Sequence, residues 1–148
     1  MKRPAAAVCL FVACAWGEGT GQYSAMLEQD PGLPTHTIYR PQDLSAVKEK
    51  LPIIAWGNGG CANNGLAHRN FLMEIASHGY LAIAIGPPAR QGGPGAAPGR
   101  GARPAGQAPA GPATKSSQLI DAINWALAEN SRSGSSYYEK LTKGIEKY

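Results

Sequence analysis

The sequence lacks the features that mark several common classes of protein. Only 16% of its 148 residues are charged, and no apolar run reaches the roughly 18 residues that a membrane-spanning helix needs. Low charge excludes a disordered acidic or basic tail, and the absence of an internal repeat excludes solenoids and propellers. The net charge of +4 comes from scattered side chains rather than from a basic stripe. We therefore predict one domain that binds no nucleic acid and has no stable membrane span.

Cysteine is also scarce, and two of the three cysteines lie near the N-terminus. Residues 1–17 have the layout of a secretory signal peptide, with basic residues, an apolar run and the small–x–small triplet Ala13-Cys14-Ala15. We expect a secreted or periplasmic protein, and a lipoprotein signal acylated at Cys14 is an alternative. Removal of the signal leaves Cys61 alone, without an internal disulfide partner.

The mature sequence alternates between short apolar runs and one amphipathic segment. After a polar, extended lead-in at 18–35, a short strand at 36–40 ends at Pro41. Two apolar runs without alternation, at 51–56 and 80–85, are typical of parallel strands that are buried on both faces. Residues 66–77 between them read as a helix, closed by a left-handed Gly79. The order strand–helix–strand predicts a βαβ unit.

The remaining sequence contains one low-complexity segment and one clear helix. Residues 86–113 consist only of glycine, proline, alanine, arginine and glutamine, and we interpret them as a loosely ordered loop. Apolar residues at helical spacing predict a helix at 117–129, with N-cap candidates at 114–117. Residues 137–148 are polar, and no third buried strand is evident.

The most informative motif is the glycine-rich turn Gly57-Asn58-Gly59-Gly60-Cys61, which follows the first buried run. One interpretation is dinucleotide binding, because Gly57-x-Gly59-x-x-Ala62 matches G-x-G-x-x-A. That chemistry needs a carboxylate after the second strand, where the sequence reads Gly86-Pro87-Pro88, so it is a minor alternative. The other interpretation is an oxyanion hole, because α/β hydrolases take one N–H donor from the loop after their third strand.

Several stretches resemble secreted α/β hydrolases of the dienelactone-hydrolase, chlorophyllase and polyester-hydrolase-like group. The resemblance runs from His36-Thr37-Ile38-Tyr39-Arg40-Pro41 through the glycine-rich turn to Ile75-Ala76-Ser77-His78-Gly79-Tyr80, and continues in the helix at 118–128. It implies an α/β fold: a partial three-layer α/β-hydrolase-type sandwich with a parallel sheet, formed by residues 36–148 and truncated before the nucleophile elbow. The sequence contains no G-x-S-x-G.

The resemblance carries over only the oxyanion loop. Gly60 or Cys61 would supply the backbone donor, with Asn58 and Gly59 shaping the turn. No nucleophile, acid or base is identifiable, and we predict no cofactor and no metal. His36, His68 and His78 lack metal-ligand spacing and read as structural or solvated. Asp30, Asp43 and Asp121 show no pairing with histidine, and the serines lie in cap or loop sequence.

These observations favour the N-terminal part of a secreted serine ester hydrolase, which would be inactive alone. Its substrate class would be a small-molecule or polymeric carboxylic ester. Two alternatives stay open: an exported binding or interaction protein without enzymatic activity, and a gene-model fragment with no stable fold and no function. The oligomeric state is also open.

Overall fold

A computed structural model of the chain describes residues 19–88 and 114–142. The predicted signal peptide and the predicted loop beyond residue 88 lie outside these ranges. The described residues form a four-stranded mixed sheet and two α-helices. The elements are β1 (Ala25–Glu28), β2 (His36–Pro41), β3 (Ile53–Trp56), α1 (Arg69–Ser77), β4 (Leu81–Ile85) and α2 (Ser117–Ser131).

The strand order across the sheet is β1-β2-β4-β3. The predicted parallel pairing of the two apolar runs is confirmed, with Trp56 opposite Ala84. The predicted parallel sheet is instead a mixed one, because β2 runs antiparallel to both β1 and β4. His36 at the start of β2 lies opposite Ile85 at the end of β4. The carboxyl ends of β3 and β4 therefore meet the start of β2 at one end of the sheet.

The two helices cover opposite faces of the sheet. Along β4, Leu81 and Ile83 contribute to the core beneath α2, whereas Ala82 and Ala84 contribute to the core beneath α1. This alternation is the two-residue period of a strand, and small alanines let α1 approach closely. All of β4 is buried, as predicted, but β3 is only half-buried, because it lies at an edge of the sheet.

The helix predicted at 66–77 begins later, at Arg69. The preceding residues form a turn instead: the Leu66 N–H donates to Asn64 Oδ1 at 3.0 Å, and the Arg69 N–H donates to the Leu66 carbonyl at 3.2 Å. The asparagine side chain thus competes with helical hydrogen bonding. At the other end, Gly79 has the predicted left-handed conformation, with a φ of +91°.

Two segments that the sequence placed outside the core belong to it. The lead-in at 18–35 contains β1, which pairs with β2 along its whole length. After α2, Tyr137 and Leu141 are both buried against the core beneath α2. Their surroundings are polar in sequence, so only tertiary contacts bury them.

Candidate functional site

The glycine-rich turn leaves the end of β3 and reaches α1 at the same end of the sheet where β4 terminates. Gly59–Cys61 form a short 3₁₀ turn, closed by a hydrogen bond of 3.4 Å from the Ala62 N–H to the Gly59 carbonyl. A loop at the carboxyl ends of parallel strands is the usual position of a binding site in α/β proteins. The turn therefore occupies a position suited to a ligand.

The side chain of Asn58 holds this loop together. Its Nδ2 lies 3.0 Å from the Ala62 carbonyl oxygen and 2.9 Å from those of Asn64 and Ile85. Two amide hydrogens thus serve three acceptors on both sides of the loop. The Asn58 Oδ1 is buried and has no hydrogen-bond partner in the described part of the chain. An aspartate here would place a carboxylate among carbonyl oxygens, so the site selects an amide.

A second set of contacts fixes the later part of the loop, at Gly65, against β2 and the end of β4. A Cβ atom built on Gly65 would lie 1.9 Å from Thr37 Oγ1 and 2.3 Å from the Gly86 carbonyl oxygen, so only glycine fits. The Thr37 hydroxyl donates to that Gly86 carbonyl at 2.8 Å, and the buried Tyr39 hydroxyl donates to the Gly65 carbonyl. Burial raises the pKa of Tyr39 to about 12, so its hydroxyl stays a donor.

Sequence reasoning missed this anchor. The sequence signal that was available is Asn63-Asn64-Gly65, where a glycine away from a tight turn can mark close backbone approach. Its partners, Thr37 and Tyr39, lie more than 20 residues earlier in the sequence, so they emerge only from the strand order.

The tip of the loop is exposed and has an unusual backbone conformation. Gly60 has a φ of +64°, and Cys61 follows at +53° in the same left-handed region. A left-handed residue other than glycine costs free energy and is found most often at turns and functional sites. A Cβ on Gly59 or Gly60 would meet nothing within 4 Å, so the tip faces open space. The structure thus places Gly59, Gly60 and Cys61 together on an accessible tip.

Aromatic side chains form a wall beside the loop. Trp56 ends β3, and its ring lies 5.2 Å from that of Phe71 and 5.4 Å from that of His68, centroid to centroid. Phe71 is half exposed, and the Trp56 Nε1 is buried with no hydrogen-bond partner in the described residues. His68 precedes α1 and packs against Trp56, so its role here is structural.

His36 lies at the same end of the sheet, but both of its ring nitrogens are engaged. Nε2 lies 2.9 Å from the Gln118 carbonyl oxygen and Nδ1 lies 3.0 Å from Thr35 Oγ1. Burial lowers the pKa of His36, although the hydrogen bond to the Gln118 carbonyl and, more weakly, the nearby Asp121 oppose this effect. Asp121 is therefore an electrostatic neighbour of a histidine, which the sequence did not predict. A neutral ring bonded on both sides is a structural element that joins β2 to α2.

The other candidates lie elsewhere or lack partners. His78 ends α1 at the opposite end of the sheet, where its Nε2 contacts the exposed Glu74 carboxylate at 3.0 Å. Asp30 and Asp43 accept hydrogen bonds within their own turns, from Gly32 and Ser45. Within residues 19–88 and 114–142, no three His, Cys, Asp or Glu side chains form a group able to hold a metal ion.

The geometry disfavours the dinucleotide interpretation. That fingerprint needs its glycines at the first turn of a helix, where the helix N-terminus faces the pyrophosphate. Here Ala62 is separated from Arg69, the first residue of α1, by a turn that Asn64 organises. The residues after β4, Gly86-Pro87-Pro88, supply no carboxylate, and Gly86 packs directly against the backbone of Asn64.

Comparison with protein-family models and with curated proteins finds no match to this chain. Among the described residues, no helix is both long and apolar enough to cross a membrane.

Proposed function

We propose that this chain is the N-terminal part of an exported serine ester hydrolase and that the loop tip at Gly60 and Cys61 is one half of its oxyanion hole. The observation that carries the proposal is the placement of this tip. It follows β3, the third strand among the described residues, and precedes α1, which is the position from which α/β hydrolases supply a backbone donor. The further assignment of a hydrolase-type sandwich belongs to the same proposal.

Preorganisation supports this role. A donor aimed at developing charge is effective only if the protein holds it before the reaction begins. The Asn58 amide and the Gly65 anchor fix both sides of the loop, and the tip stays accessible. Glu139 also has a left-handed φ, of +56°, but it sits in an ordinary turn after α2. A left-handed residue therefore does not by itself indicate a site. At Gly60 and Cys61 it coincides with an anchored loop at the carboxyl end of the sheet.

The chain alone should not hydrolyse esters. An oxyanion donor stabilises charge that appears only after a nucleophile attacks, and the sequence has no G-x-S-x-G. At this end of the sheet, the buried ring of His36 is hydrogen-bonded through both nitrogens, so neither nitrogen is available to act as a base. We expect hydrolysis of a short-chain nitrophenyl ester at the rate of buffer.

The decisive experiment joins the chain to the reading frame encoded after the codon for Tyr148. If that frame encodes a strand and then G-x-S-x-G, the joined protein should hydrolyse the nitrophenyl ester. Replacement Gly60→Pro, which removes the N–H and cannot adopt a positive φ, should then lower kcat by about 10²–10³-fold. Gly60→Ala keeps the N–H and is the matched control, with a smaller loss. A joined protein that is folded but inactive would contradict the proposal.

One observation favours the second candidate, an exported interaction protein. The outer edge of β3 is only half-buried, and the half-exposed Phe71 packs against Trp56 at its end. Such an edge can recruit a strand from another chain. The interaction protein would therefore use the β3 edge for binding, whereas the hydrolase would use the loop tip at Gly60 and Cys61.

A further inference from the structure

At the end of the sheet opposite the glycine-rich loop, the described residues line a cavity of about 410 Å³. It lies where α1 ends and where β3 and β4 begin. Three segments of the chain form its walls: residues 22–23 ahead of β1, residues 46–50 with Pro52 ahead of β3, and residues 78–80 between α1 and β4. A volume of this size is in the range that holds a small organic molecule.

The wall ahead of β1 is fixed to the end of α1. The Tyr23 N–H donates to the Ser77 carbonyl at 3.0 Å, and the Gly21 N–H donates to the Ser77 hydroxyl at 2.9 Å. The Tyr23 ring packs against Gly79, since a Cβ atom built on that glycine would lie 3.2 Å from Tyr23 Cε2. The protein itself therefore holds this wall in place, without help from a ligand.

The end of α1 contributes little negative charge to the cavity. A helix C-terminus ordinarily disfavours an anion because its last carbonyl groups have no partner. Here the carbonyls of residues 74–77 all accept hydrogen bonds, from the Ser77 hydroxyl and from the N–H groups of His78, Gly79 and Tyr23. An anion in the cavity would therefore not face unpaired acceptor oxygens at this helix end.

Positive charge exceeds negative charge around the cavity. Lys48 and Lys50 line it together with one carboxylate, that of Glu49. Neither lysine has an ion-pair partner within the described part of the chain. An ammonium group acts as a point charge that accepts either a carboxylate or a phosphate. The lining therefore has an uncompensated cation.

We propose that this cavity binds a small organic anion, in which a carboxylate or a phosphate ester is attached to a flat apolar body. Lys48 and Lys50 neutralise the charge of the ligand. Tyr23 and Tyr80, which also line the cavity, supply aromatic rings against which a flat apolar group packs. The site lies away from the loop tip, so the proposal does not depend on the hydrolase assignment.

Three probes that share an aromatic ring and differ in charge test the proposal: benzoate, phenyl phosphate and benzyl alcohol. In NMR titrations of the isotope-labelled full-length chain, both anions should shift the amides of Tyr23, Gly79 and Tyr80 saturably and leave those of Gly60 and Cys61 in place. Benzyl alcohol should bind about tenfold more weakly than the better anion, which identifies the charged group of the ligand. No saturable shift at the three amides, or equal affinity for the alcohol, would overturn the proposal.

Substitutions that change one charge test whether the anion binds in this cavity. Lys48→Gln and Lys50→Gln should each weaken binding of the better anion by about threefold, because exposed charges interact modestly. Glu49→Gln removes a repulsion and should strengthen binding by about twofold. Lys115→Gln removes the same charge as the first two at an exposed position outside the cavity, and should leave the affinity unchanged.

Equal losses in all three lysine variants would assign the binding to net charge and would overturn the proposal. Weaker binding in Glu49→Gln would contradict it as well, because the carboxylate would then be part of the attraction.

Discussion

The two edges of this sheet differ in how they end. The β1 edge is a short strand of four residues, tied to its neighbour by an ion pair and to α1 by the preceding residues. The β3 edge has the same length and is also half-buried, but the half-exposed aromatic ring of Phe71 borders it at Trp56. Edges that natural proteins leave open are usually short, charged or covered. The β1 edge is therefore closed by polar contacts, whereas the β3 edge is one to which a further strand could add.

Details of the β1 edge explain how it is closed. The Arg40 guanidinium on β2 makes a two-pronged ion pair with Glu28 on β1, with distances of 2.9 and 3.0 Å. Tyr137, from the segment after α2, donates its hydroxyl to Glu28 and lies beneath Arg40. Upstream, the Gly21 N–H donates to the Ser77 hydroxyl at 2.9 Å. Polar contacts thus join this edge to both helical layers.

The largest expected effect concerns Leu141, which forms an isolated parallel bridge with Leu51 just before β3. Leu141→Ala removes a fully buried side chain from the core beneath α2, and should lower the free energy of unfolding by about 2–5 kcal/mol. Urea denaturation followed by tryptophan fluorescence measures this change. Leu127→Ala, a chemically identical truncation at an exposed position, should cost less than about 1 kcal/mol. Similar losses in both variants would show that Leu141 does not close the core.

A smaller loss is expected at the β1 edge. Arg40→Met keeps the apolar stem but leaves Glu28 partly buried without its cation. Breaking a fully buried pair costs about 3–5 kcal/mol, so this partly exposed pair should cost about 2 kcal/mol in urea denaturation. Arg132→Met breaks the exposed pair with Glu129 and should leave the urea midpoint close to that of the unsubstituted chain, because solvent screens this pair. If both substitutions behaved alike, the β1 edge would owe nothing to its ion pair.

Acid should weaken the β1 edge selectively. Burial raises the pKa of Glu28, but hydrogen bonds from Arg40 and Tyr137 outweigh it and lower the pKa below its usual 4.5. A carboxyl with a lowered folded-state pKa stabilises the fold above its unfolded pKa, and this contribution disappears as the pH falls. Between pH 5 and 3, Glu28→Gln should therefore lose less stability than the unsubstituted chain, as measured by urea midpoints. Leu141→Ala should keep the full acid dependence.

Hydrophobic periodicity and glycine positions predicted several elements correctly. The runs around β3 and β4, the helix of α2 and the left-handed Gly79 all follow from periodicity or glycine chemistry, and the structure has them. β1 was missed because Ala25–Glu28 has no β-branched or aromatic alternation; pairing with β2 makes it a strand. Burial of Tyr137 was missed for the same reason, since its contacts come from Glu28 and Arg40.

For the glycine-rich loop too, the sequence predicted the position but not the contacts that hold it. Its glycines and its place after a buried strand were evident from sequence, and they suffice to locate a candidate site. Its anchors were not, because Thr37 and Tyr39 reach Gly86 and Gly65 only through the antiparallel insertion of β2 beside β4. Apolar patterning indicates that a strand exists, but it does not give the order of strands in a sheet.

The smallest expected effect is on association rather than on stability. The outer edge of β3 is only half-buried, and edges of this kind can pair with one another, so a chain ending at Thr142 should self-associate at high concentration. Phe71→Lys in that shorter chain places a charge against Trp56 at the end of β3 and should restore monomer, as measured by light scattering over a range of concentrations. Gln42→Lys adds the same charge to an exposed position just after β2 and is the matched control. Equal rescue by both lysines would assign the effect to net charge and would remove the distinction between the two edges.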